Sequence, residues 1–152
     1  PGGARRHPPL PRLQAVTAAE RKALGKYVRW VGDAIGLRDW WFDIMHDEPE
    51  NAGDMACCDP FYGQRQAKLW FRNDLRTLEP VQQRAVVVHE LLHCHFAATQ
   101  EQVRLDLLKH LGQAAYDLFL GSWRMNHEYA LDATARALAK HMPDIAWPKA
   151  KP

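Results

Sequence analysis

The pentapeptide His89-Glu90-Leu91-Leu92-His93 runs on directly from Ala85-Val86-Val87-Val88, and it constrains the chain more than any other stretch. On an α-helix, residues four apart lie on one face, about one turn from each other. Two imidazoles so placed can hold one cation, and the glutamate beside the first can reach water bound to it. A catalytic zinc site commonly has three protein ligands and leaves one position for water. The motif supplies two, so a third donor has to come from elsewhere in the chain.

Three sources of that donor can be weighed. In the extended form of the motif a glycine and a third histidine follow at fixed spacing, but Phe96 and Thr99 stand at those positions, which excludes the metzincin pattern. His110 flanks an amphipathic stripe and reads as a solvent-edge histidine. Glu128 is the strongest candidate: at helical spacing it shares a face with Leu131, Asp132, Ala135, Leu138, Ala139 and Met142. An unpaired carboxylate on such a face would cost several kcal/mol if buried, and a metal ion would supply its partner. Asp132, one turn further on, suits a different task, accepting the ring N–H of a liganding histidine such as His89 and so fixing its tautomer. The bland alternative is a polar helix edge on which both acids pair with Arg124 or Arg136.

Together, His89-Glu90-Leu91-Leu92-His93 and Glu128-Tyr129-Ala130-Leu131-Asp132 resemble the gluzincin pattern, H-E-x-x-H followed by E-x-x-x-D on a later glutamate helix. The short chain, with a helix and small sheet leading into the motif, also resembles the minigluzincins and the small phage and bacterial ImmA/IrrE-like proteins. The resemblance implies an α+β, zincin-like fold and one zinc ion per chain held by His89, His93 and Glu128. It implies Glu90 as general base and acid, Asp132 as the brace behind a ligand, and a protein or peptide as substrate. One departure is that His127 precedes Glu128, with Asn126 one place earlier, where many gluzincins have asparagine immediately before the ligand. Tyr129, His127, Tyr116 and Tyr62 are all available to stabilise an oxyanion, and the sequence does not choose among them. The segment Gln66–Arg72 resembles the edge strand against which zincins lay an extended substrate; without the resemblance it is an ordinary edge strand guarded by Arg65, Lys68 and Arg72.

Local signals give the order of elements. Residues 1–15 are proline-rich and aperiodic and read as a flexible tail. Thr17-Ala18-Ala19-Glu20 is a capping box that opens a helix, for which Gly36 is a suitable stop. Trp40–His46, Met55–Asp59 (halted by Pro60) and Gln66–Arg72 read as three short strands of a small mixed sheet. Glu79-Pro80 starts the helix carrying the motif, expected to reach Ala97 or Ala98. A further helix is expected through Val103, Leu107, Leu111 and Leu118, then, after Gly121-Ser122, the glutamate helix to Met142. A single domain over 16–142 and a C-terminal tail over 143–152 complete the expectation.

Composition narrows the class without identifying the function. At 152 residues, 47% apolar and 25% charged, the chain has the make-up of one soluble domain with a real core. A formal charge of +2 with no basic block argues against nucleic acid as the main partner. No apolar run approaches the roughly 20 residues of a membrane span. Three cysteines, two of them adjacent, suggest reduced thiols and a cytoplasmic setting. Adjacent Cys57 and Cys58 are poor joint ligands, because neighbouring strand side chains face opposite ways. Most of the six tryptophans are expected in the core or a groove wall. Two function classes remain: a zinc endopeptidase, favoured because Glu90 is present, and a non-catalytic zinc-bound regulatory or interaction module on the same fold. A helical binding protein in which the motif is accidental is a weaker third.

Overall fold

The computed structural model describes residues 16–149, so the expected tail over 1–15 lies outside the described residues, as do 150–152. The architecture is α+β: three helices and a three-stranded mixed sheet. Helix α1 spans Ala18–Ala34. The Thr17 hydroxyl accepts the Glu20 N–H at 3.2 Å and the Glu20 carboxylate accepts the Thr17 N–H at 2.8 Å, which satisfies two of the helix's orphan donors. The chain leaves the helix through Gly36 at φ +86°, a left-handed conformation that glycine adopts without strain.

Strands β1 (Trp41–Ile44), β2 (Ala56–Phe61) and β3 (Gln66–Phe71) lie in the order β1-β3-β2, with β1 parallel and β2 antiparallel to β3. Alternation along β3 sets the faces: Ala67, Leu69 and Phe71 are buried, while Gln66, Lys68 and Trp70 are partly exposed. Two expectations change here. Gln66–Arg72 is the centre of the sheet rather than an edge, since β3 pairs with β1 on one side and β2 on the other. And β2 continues through Pro60 instead of stopping at it. Proline is tolerated because β2 is an edge strand, where a missing N–H need not break a ladder.

The helical half also divides differently from the expected pattern. Helix α2 spans Pro80–Leu111 and α3 spans Gln113–Ala139, so the motif helix runs well beyond Ala98 and the break falls at Gly112. No glycine or proline interrupts Ala98–Leu111, and Lys109 places a cation in the last turn, where it complements the helix dipole. Gly112 turns the chain with φ +73°. Gly121 stays helical: glycine costs about 1 kcal/mol in a helix interior, and packing of α3 along α2 offsets that.

Val28 and Val31 of α1, Leu69 of β3, Val87, Val88 and Leu91 of α2, and Leu131 and Ala135 of α3 share one core. Leu131 is 1% exposed, on the turn of α3 that carries Glu128 and Asp132. Leu131→Ala is therefore expected to cost about 2–5 kcal/mol, read as a lower midpoint in urea. After α3 the chain forms no regular element, yet it is docked. Ile145 is buried, the Trp147 indole donates to the Gln83 side-chain oxygen at 2.6 Å, and Arg84 bonds the Ala139 carbonyl and pairs with Asp144. Of the tryptophans, Trp40 alone is buried, and Trp30 and Trp41 are exposed. No described helix is long and apolar enough to cross a membrane.

Candidate metal centre

Burial of Val87, Val88, Leu91 and Leu92 against the core fixes the rotation of α2, and with it the direction of the motif. His89 and His93 then face α3, while Glu90 sits at the base of a cleft bounded by β2 and α3. Gly112 folds α3 back along α2 and brings Glu128 opposite the two rings. The Glu128 Oε2 lies 3.1 Å from His89 Nε2 and 3.8 Å from His93 Nε2. One ligand atom from each of the three lies within 4.8 Å of the others. Donors bonded at about 2.0–2.2 Å to one tetrahedral ion stand roughly 3.3–3.5 Å apart, so this donor set fits a single divalent cation. Among the described residues, this is the group of acids, thiols and imidazoles that converges so closely.

Asp132 takes its place behind the first imidazole. Its Oδ1 lies 2.9 Å from His89 Nδ1, enclosed on the side of the ring away from Glu128, though the contact is bent rather than a straight hydrogen bond. The other carboxylate oxygen receives Arg136 at 3.4 Å, so the ion pair of the bland alternative exists but is long. Glu128 and Asp132 are half-exposed at the lip of the cleft, contrary to the expectation of an apolar setting. Their convergence on His89, not burial, is what marks them.

The electrostatics suit a cation. Burial, followed by the neighbouring His89 and His127, lowers the His93 pKa to about 4, so the ring is neutral and its lone pair free to bind. Glu90 is 7% exposed, and burial pushes its pKa up to about 8, with Glu128, Asp54 and Asp132 adding to the rise. A cation among these acids would oppose that rise.

The other named residues separate. His127 lines the cleft but is held there: its ring stacks on Trp123 at 4.9 Å, meets Phe96 edge-on and lies 3.0 Å from the Gln100 side-chain nitrogen. Burial also lowers its pKa. Tyr116 is buried in the wall of the second half of the cleft, and Tyr62 stands at that half's rim. Tyr129 is 66% exposed and lines neither half, because it lies about 100° round α3 from Glu128. His95 turns the other way and contacts the Ile35 carbonyl at 2.7 Å. Cys57, Cys58 and Cys94 are free thiols, with Cys58 and Cys94 Sγ 3.9 Å apart. Arg124, considered from sequence only as a partner for the acids, lines both halves of the cleft beside His93 and Glu128. Its place one turn before Glu128 was the signal available for it.

The cleft continues on both sides of the three converging groups. One half, of about 1420 Å³, runs along Asp54–Cys58 of the β2 side, and the other, of about 760 Å³, along Cys58–Gln64. The first alone exceeds the roughly 300–1,000 Å³ of ordinary small-molecule pockets, which favours an extended ligand. The unpaired edge of β2 follows this whole length. Comparison of the chain with known protein families, with characterised proteins and with solved structures finds no match.

Proposed function

We propose that this chain is a zinc-dependent endopeptidase of the gluzincin type with a zincin-like fold. The observation that carries the reading is the convergence of His89, His93 and Glu128 beside a buried Glu90 in an open, elongated cleft. When bound, zinc would supply a Lewis acid and a water of pKa near ~7. His89, braced by Asp132, and His93, neutral by burial, would hold it with Glu128. Three described protein ligands leave a coordination position for water, which favours catalysis over a purely structural module, since a structural site closes with four.

Glu90 is the one carboxylate at the base of the cleft that is not turned toward the ligand histidines. In this reading it accepts the water proton as the peptide carbonyl is attacked and returns it to the leaving nitrogen. The pairing edge falls to β2 rather than β3: an extended substrate would add to it by backbone hydrogen bonds. Arg124 and His127, which line the cleft where Tyr129 does not, would be the donors to the developing oxyanion.

The test is metal analysis combined with cleavage of a broad peptide library. Native protein is expected to hold one zinc per chain and to cut internal bonds, while Glu128→Ala is expected to lose both metal and cleavage at an unchanged fold. Full zinc retention in Glu128→Ala would remove the third ligand and the reading with it.

A further inference from the structure

The wall of the cleft contributed by α3 and its C-cap is a ladder at four-residue steps: Arg124, Glu128, Asp132, Arg136 and Lys140 all line its larger half. The two acids at the centre face His89, and the cations of the wall stand at its ends. Among the described residues Arg124 and Lys140 have no ion-pair partner, and Arg136 has only the long contact with Asp132. Glu90 is withdrawn into the base. Asp54, the remaining acid of this half, stands across the cleft and already accepts the Asn51 amide at 3.0 Å. The second half differs: its Arg104 is satisfied by Glu101 at 2.7 Å. Of the free cations, Arg124 is shared by both halves, whereas Arg136 and Lys140 line the larger half alone.

We infer that the larger half of the cleft selects polypeptides with acidic side chains on one side of the bond to be cut, the side lying along Arg136 and Lys140. The inference rests on the peptidase reading for the cut and on the ladder for the selection. In an extended chain paired with β2, alternate side chains point away from the strand, and those directed at α3 meet the two cations. Isolated exposed ion pairs are weak and salt-sensitive, so the selection is expected to be graded rather than absolute.

Two fluorescein-labelled peptides sharing an apolar centre, one flanked by Asp and Glu and one by Lys, distinguish the cases in zinc-supplemented buffer. Binding is read by anisotropy on the Glu90→Gln protein, and cleavage on the native chain. The acidic peptide is expected to be favoured about tenfold in both assays, with the preference shrinking in 1 M salt, where charges are screened within about 3 Å. Arg136→Glu with Lys140→Glu, at native zinc content, is expected to reverse the preference, and Arg136→Lys with Lys140→Arg to keep it. If the reversed protein fails to fold, the pair Arg136→Gln and Lys140→Gln decides, by bringing the two peptides to parity. Equal binding and cutting of both peptides by native residues at 136 and 140 would overturn the selection and leave the peptidase reading standing. A preference unmoved by the double reversal would also overturn it. Selective binding of the acidic peptide without cleavage of any peptide would sink the peptidase reading and leave the selection.

Discussion

Glu90→Gln is expected to lower peptide cleavage by about 10²–10⁴-fold while leaving one zinc per chain in place. The separation of the two effects is what makes the substitution informative. Glu90 is adjacent in sequence to His89 but is not one of the three converging groups. It is buried, and burial raises its pKa to about 8, so the carboxylate is held in a setting that disfavours its charge. A glutamine of the same shape removes that penalty, and the thermal midpoint is expected to hold or rise. Loss of cleavage with stability and metal intact would assign the proton-transfer role to this carboxylate. Cleavage at the native rate would exclude it from the chemistry.

The second large effect concerns the ion. His93→Ala is expected to weaken zinc binding by more than the roughly 10–100-fold that follows loss of a residue bracing a ligand, the loss expected for Asp132→Ala. His93 contributes a neutral ring to the site, so the variant loses a bonding nitrogen without gaining a buried charge. A ligand at 100 times its Kd stabilises the folded state by about 2.7 kcal/mol. Native protein is accordingly expected to unfold at higher temperature as zinc is added, and His93→Ala to show no such rise over the same concentrations. The order of affinities, native above Asp132→Ala above His93→Ala, checks the assignment of direct and indirect roles.

What sequence alone conveys about this molecule depends on the range of the interaction involved. The capping box at Thr17–Glu20 and the stop at Gly36 are local, and both stand where the pattern places them. The four-residue spacing of His89 and His93, and of Glu128 and Asp132, is local too, and their faces follow from helical periodicity alone. Strand order is not local. Pro60 looks like a terminator until β2 is known to be an edge, and Gln66–Phe71 looks like an edge until β1 is found parallel beside it. The helix break needed a comparison between two glycines. Gly121 carries the stronger turn signal with Ser122 behind it, yet Gly112 follows Lys109 and His110 and supplies the positive φ. The docking of Ile145 and Trp147 is least legible, because a proline-bearing tail gives no periodicity and its partner, Gln83, is 64 residues away from Trp147.

Because a single residue, Gly112, joins α2 to α3, the two arms of this hairpin are indexed to each other like the teeth of a key. An alanine inserted within α3, between Gly112 and Glu128, would advance the residues after it by about 1.5 Å and rotate them by about 100° relative to those before it, whereas coordination tolerates errors of only about 0.2 Å. Glu128 would swing out of reach of both rings while every ligand stayed present in the chain. The shortness of that connection thus calibrates the candidate metal centre from some distance along the helices, and an alanine inserted within α3 ahead of Glu128 is expected to separate the three groups without replacing any of them.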